Sequence, residues 1–202
     1  VVYNGEIYNY VELSQKSKVK SQKLRSNSDT EIILNLYAEY GKDCLSMLRG
    51  MFAFAIWDDK EKTLFAARDR FGIKPFYYYN NGSEFIFSSE LKAIKHYKKD
   101  LTISNEGIDA FLRTGSVPAP ITIYNEVSAL LPGQFIMIDC HPERSRRISI
   151  NTYWDFSDLL NGRTAPVIST NIERRNLKDF SVVRQRTDFF EMTNDQHQVS
   201  SI

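Results

Sequence analysis

Cysteine occurs only at Cys44 and Cys140 in the 202 residues, too few for a disulfide scaffold or a thiolate zinc site. Histidine is almost as scarce. His96, His141 and His197 have no metal-ligand spacing and read as ordinary surface residues, so no metal site is expected. No apolar run approaches the ~20 residues a membrane helix needs, and no membrane partner is expected. Neither sign of charge is in excess: 26 Lys and Arg stand against 25 Asp and Glu, a net +1. So balanced a chain gains nothing from charge as a nucleic-acid or membrane-surface binder. The basic stretch His141–Arg147 is short and lacks interleaved aromatics, so it reads as a solvated loop. The chain begins at Val1 without a methionine or a signal peptide, which reads as a cytoplasmic protein truncated at its start.

What is present is enough for a core: 42% of the residues are hydrophobic and 25% charged. The composition changes near Cys140. Residues 1–139 hold twelve Lys and five Arg, whereas residues 140–202 hold one Lys and eight Arg. Residues 1–139 read as a domain and 163–202 as an irregular tail. That tail shows no sustained apolar period. It reads either as disordered chain or as foreign or misread coding sequence.

Within residues 1–139, Ser28-Asp29-Thr30-Glu31, preceded by Asn27, has the form of a capping box. Ser28 would accept from the N–H three residues on, and Glu31 would reach back. Ile32, Ile33, Leu36, Tyr37 and Tyr40 then share a helical face, and Gly41 suits the stop. A short helix is expected over Asp43–Leu48, ended by Gly50. Met51–Trp57 and Thr63–Ala67 read as strands about a polar turn. Phe76–Tyr79 and Glu84–Ser88 form a second hairpin about an Asn-Gly turn. Ser89–His96 reads as a helix. Ser104 caps another, with Ile108, Phe111 and Leu112 expected inward, and Gln134–Asp139 is a last strand. Consecutive hairpins with interspersed helices make the fold class α+β, or a layered sandwich.

Chemistry has few places to sit. Asn4-Gly5-Glu6 follows Val1-Val2-Tyr3 as a strand end entering a turn. An Asn side-chain amide and a Gly N–H can converge there on a developing oxyanion, although an Asn-Gly pair is also an ordinary turn. Asp29 lies in a helix's first turn, where the dipole alone favours a carboxylate. Arg68-Asp69-Arg70-Phe71-Gly72 reads as a charged turn network. Cys44, on the expected short helix with Leu45 and Leu48, reads as a structural thiol.

Taken in order, Val2–Tyr10, Ser28–Glu31, Gly50–Asp58, Ala67–Pro75 and Phe87–Ala93 closely resemble the glutamine-hydrolysing asparagine synthase family, in its class II glutamine amidotransferase domain. The likeness runs from Val1 to about Asp139 and resumes at Tyr153-Trp154-Asp155, with Cys140–Ile150 resembling an insertion. It implies that residues 1–139 are a partial domain and 140–162 an insertion plus a residual domain edge. The resemblance implies an incomplete four-layer α-β-β-α sandwich of the N-terminal-nucleophile hydrolase type. It implies glutamine as substrate, hydrolysed to supply ammonia for ATP-dependent amidation of aspartate to asparagine. Asn4 and Gly5 would form the oxyanion hole, while Glu6 and Asp29 would hold the α-amino end of glutamine. The nucleophile would be a cysteine at the mature N-terminus, which neither Cys44 nor Cys140 matches. ATP and magnesium would belong to a synthetase domain in cis, and no cofactor is implied for these residues. A homodimer is implied for the full protein. The other readings are an amidotransferase with a different acceptor and a non-catalytic binding or scaffold remnant. Made alone, the chain is expected to be inactive and marginally folded.

Overall fold

The apolar run from Met51 becomes a nine-residue strand because its alternate side chains, Phe52, Phe54 and Ile56, all reach one buried cluster. The computed structural model describes residues 1–16, 26, 28–141, 147–160 and 190–192. Its elements in chain order are β1 (Val2–Ile7), α1 (Tyr10–Lys16), α2 (Asp29–Tyr40), β2 (Gly50–Asp58), β3 (Thr63–Arg68), β4 (Tyr77–Asn80), β5 (Phe85–Ser88), α3 (Leu91–Tyr97), α4 (Asn105–Thr114), β6 (Val127–Ala129), β7 (Gln134–Asp139), β8 (Arg147–Thr152), α5 (Phe156–Leu160) and β9 (Phe190–Met192). The class is α+β.

The chain divides into two units. The first, residues 1–74 and 132–183, is built on a sheet in the order β1-β2-β3-β7-β8 with antiparallel pairs throughout. One face packs against α2 through Ile7, Ile32, Ile33, Leu36, Tyr37 and Phe65, all at most 3% exposed. Tyr37 stacks on Phe65 with ring centroids 5.0 Å apart. A 3-10 helix over Gly41–Ser46 follows α2, in place of the expected helix Asp43–Leu48, and Gly50 opens β2 instead of ending a helix. Six residues at i→i+3 spacing suffice to bury Cys44 and Leu45 before the chain must turn into the sheet. Between β3 and β4 the charged turn is organised by Asp69. Its carboxylate accepts the N–H groups of Phe52, Phe71, Ile73 and Lys74 at 3.0–3.2 Å.

β8 lies in the stretch that resembles an insertion, and it pairs with β7 from Gln134↔Thr152 to Asp139↔Arg147. Sequence missed it because its side chains are mostly exposed and polar, and only a backbone ladder holds it.

The second unit, residues 75–131 and 184–202, carries the sheet β6-β4-β5-β9. Tyr79, Ile86, Ile94, Leu101 and Val127 form its core between sheet and α3. Asn81 builds the expected turn, its Oδ1 accepting the N–H groups of Ser83 and Glu84 at 3.1 and 2.7 Å. β9 falls within the tail read as irregular. It joins the sheet by pairing Phe85↔Met192 to Phe87↔Phe190, because β5 offers an open row of backbone groups. The rest of the tail and Asn27 lie outside the described residues.

Ser104 caps α4 as expected, accepting the N–H of Gly107 at 3.0 Å. The inward face is not as expected. Ile108, Phe111 and Leu112 are 40, 54 and 77% exposed. The helix meets its unit at its first turn, where a Cβ on Gly107 would lie 2.4 Å from the Thr122 carbonyl oxygen.

Candidate functional site

Asn4, Gly5 and Glu6 stand inside β1, not in a turn beyond it. The strand continues because Gly5, at φ 151°, fits against β2 where a Cβ would lie 2.1 Å from the Met51 carbonyl oxygen. Register runs unbroken from Val2↔Ala55 to Ile7↔Gly50. The Tyr8 N–H, next in line, donates to the Arg49 carbonyl at 2.8 Å.

The Ile7 N–H does not point toward β2. It donates to Asp29 Oδ2 at 3.1 Å. Residues along a ladder alternate in the side to which they offer N–H groups. With Tyr8 directed at β2 and Ile7 away from it, the N–H groups of Gly5 and Tyr3 share Ile7's side. Phe52, opposite Gly5, agrees with this. It spends its N–H on Asp69 Oδ2 and its carbonyl on the Asp69 N–H, both away from β1. Among the described residues β1 ends its sheet, so the Gly5 N–H faces the edge that no described strand pairs with.

Side chains alternate as well. Tyr3 and Ile7 join the cluster under α2. Asn4 and Glu6 take the opposite face, Asn4 half-buried and Glu6 exposed.

Asp29 arrives from α2. Ser28 caps this helix from an extended conformation (φ −86°, ψ 138°), its Oγ accepting the N–H of Thr30 at 3.2 Å, one residue nearer than expected. Glu31 Oε2 accepts the N–H and hydroxyl of Ser26 at 2.8 and 2.7 Å, and Ser26 Oγ in turn accepts the Ser28 N–H at 3.3 Å. The cap leaves Asp29 as the first helical residue, half-buried, with its carboxylate directed at β1. Its Oδ2 accepts the Tyr3 hydroxyl at 2.6 Å and the Ile7 N–H at 3.1 Å. Among the described residues its Oδ1 accepts no hydrogen bond.

The structure therefore brings Asp29 to the edge of the strand that carries Asn4, Gly5 and Glu6. Glu6 reaches the same group through its charge. The Tyr3 hydroxyl is pushed far above the ordinary phenol range by burial first, then by its bond to Asp29 and the charges of Asp29 and Glu6. Tyr3 was missed from sequence. Nothing local links a tyrosine in a strand to a carboxylate 26 residues away.

Cys44 is fully buried in the cluster under α2, and burial followed by the charge of Asp43 raises its thiol pKa. Cys140 is half-buried. His96 is exposed and His141 half-buried, while His197 lies outside the described residues. Among the described residues no three His, Cys, Asp or Glu are grouped as a metal ion would need, and no helix is long and apolar enough to cross a membrane.

Comparison with known proteins places these motifs. The glutamine amidotransferase domain family matches residues 1–154. A putative glutamine-hydrolysing asparagine synthetase 2 of Methanocaldococcus jannaschii is 41% identical over 161 residues, which is 78% of this chain and 30% of that protein. Glutamine-hydrolysing asparagine synthetase 1 of Bacillus subtilis is 39% identical over 133 residues, 66% of this chain and 21% of that protein. The chain thus spans less than a third of these relatives. Among solved structures, a glutamine phosphoribosylpyrophosphate amidotransferase from B. subtilis is 20% identical over 73% of this chain and 28% of its own, with a TM-score of 0.45.

Proposed function

Because the chain belongs to the glutamine amidotransferase domain family, we propose that it is the glutaminase part of an asparagine synthase. Glutamine is the substrate, and the ammonia released amidates aspartate at a synthetase domain elsewhere in the polypeptide. The observation that carries the reading is the edge of β1 that no described strand pairs with. There the Gly5 N–H stands in the same row as Ile7, whose N–H is taken by the Asp29 carboxylate. A donor for an oxyanion and an acceptor for an ammonium group along one strand edge suit the two ends of glutamine.

In this reading a thiolate attacks the side-chain carbonyl carbon of glutamine. The negative charge that develops on the carbonyl oxygen is met by the Gly5 N–H and the Asn4 side-chain amide. The tetrahedral adduct then collapses: its C–N bond breaks as the nitrogen takes up the proton the thiol lost, ammonia leaves and a thioester remains, and water hydrolyses that thioester to glutamate and the free thiol. Asp29 and Glu6 hold the α-ammonium group throughout. A buried thiol such as Cys44 is a poor nucleophile. The thiol, as the family resemblance implies, would be a cysteine from chain beyond residues 1–202. ATP and magnesium would belong to the synthetase domain, as the family resemblance implies, and no step here runs through them. The four-layer sandwich and a cytoplasmic location belong to the same proposal. So does aspartate as acceptor, which leans on the names of the relatives.

The test is steady-state ammonia release from glutamine by the full-length protein. Asn4→Ala should lower kcat by ~10²–10³, because an oxyanion donor acts where charge develops. Asp29→Asn should act mainly on KM, because an ammonium partner binds ground and transition states alike. An unchanged kcat in Asn4→Ala would remove the oxyanion assignment.

A further inference from the structure

We propose that Tyr3 is a positioning residue for substrate recognition, locking the Asp29 carboxylate so that Oδ1 alone is presented to the α-ammonium group of glutamine. The inference rests on the proposed function and adds a residue to it.

An aspartate on the first turn of a helix can rotate about two torsions, and half-burial does not choose between its oxygens. Here two donors choose. The Tyr3 hydroxyl and the Ile7 N–H converge on Oδ2, at 2.6 and 3.1 Å. With both donors on one oxygen, the carboxylate loses much of its freedom to exchange its two oxygens. Oδ1 is then the oxygen left with its lone pairs unspent among the described residues. A primary ammonium group needs such an acceptor.

The two donors differ in kind. The Ile7 N–H belongs to the ladder and is present whatever the side chains are. The Tyr3 hydroxyl is the adjustable part. It stands on a ring packed against the cluster under α2, so its position is set by the core. Without it, Oδ2 would keep one bond and the carboxylate could turn about it.

A purely structural tyrosine would also hold α2 against β1. The two roles separate with a substrate analogue that lacks the α-amine, glutaramate, which gives Asp29 nothing to hold. In the full-length protein, Tyr3→Phe should raise KM for glutamine by up to the ~10- to 150-fold of losing one hydrogen bond to a charged group. It should leave kcat within about twofold, and KM for glutaramate unchanged. Tyr3→Leu, which also lacks the hydroxyl but packs differently, should show the same discrimination and serves if the first variant does not fold. An equal rise of KM for both substrates would overturn the inference, as would no rise for glutamine while Asp29→Asn raises it. If Asp29→Asn itself leaves KM for glutamine unchanged, the assignment of Asp29 in the proposed function fails instead.

Discussion

Asp69 shows how a single side chain can stand in for a missing piece of secondary structure. Its carboxylate receives four backbone N–H groups, from Phe52, Phe71, Ile73 and Lys74, while its own carbonyl takes the N–H groups of Gly72 and Gly133. The residue is fully buried. Arg68 and Arg70 brace the same turn, Arg68 donating to the carbonyls of Gly72 and Lys74 and Arg70 to those of Ser46 and Leu48. From sequence, the alternating charges read as a turn network. In the structure both arginines donate to backbone carbonyls. Asp69→Asn should therefore be costly despite its small change in shape. An amide replaces one acceptor oxygen with a donor that faces other donors. A loss of about 2–4 kcal/mol is expected from buried polar groups left unsatisfied, read as a lower urea midpoint.

Helix α4 carries the clearest lesson among the elements. Its apolar spacing has the helical period, yet Ile108, Phe111 and Leu112 are exposed, because only the first turn, at Gly107, is held close to the rest of its unit. Stability should therefore depend on the cap more than on the apolar stripe. Ser104→Ala should cost about 1 kcal/mol, the usual value of an N-cap. Leu112→Ser should stay within about 0.5 kcal/mol of the parent, as surface substitutions do. Thermal melts of the two variants decide the order, and a larger loss for Leu112→Ser would show that the face is covered.

In the same unit, Glu126 accepts the N–H and hydroxyl of Thr102 at 2.9 and 2.6 Å, and the hydroxyl bond holds its pKa below the ordinary glutamate value. A depressed carboxyl pKa stabilises the fold above its unfolded-state value, and the gain is lost as pH falls through the folded value. Glu126→Gln should thus lower the melting temperature at pH 7, with the difference from the parent closing in acid. A constant difference at every pH would refute the charge as its cause.

At the scale of the whole molecule, the chain forms two units, each built on its own antiparallel sheet. The site residues all lie in the first, on β1 and the start of α2. In the proposed reading that unit supplies binding and charge stabilisation, and the nucleophile comes from elsewhere. Cys44 is sealed in the core with its thiol held protonated, and Cys140 lies at the end of β7, outside the motifs that carry the site. The 202-residue polypeptide made by itself should release no ammonia from glutamine above a buffer blank. Release that survives controls for contaminating enzyme would require a different nucleophile within these residues.

The sequence by itself determined the local signals. Ser28 and Ser104 cap their helices, Asn81 turns its hairpin, and Met51–Trp57 and Gln134–Asp139 run as strands, because each depends on residues a few positions apart. It also identified the motifs around Asn4 and Asp29 as belonging together. What it could not reach was how they are joined. Placing Asn4-Gly5-Glu6 within a strand depended on β2 lying close enough to exclude a Cβ at Gly5. The choice of Oδ2 for Tyr3 and Ile7 depended on α2 packing over β1. The exposure of α4 and the pairing of β8 were likewise decided by what lies alongside each element. Tertiary structure alone supplies such answers. Caps and turns are completed by near neighbours along the chain, whereas an open strand edge or an unspent carboxylate oxygen is defined by distant residues that do, or do not, arrive.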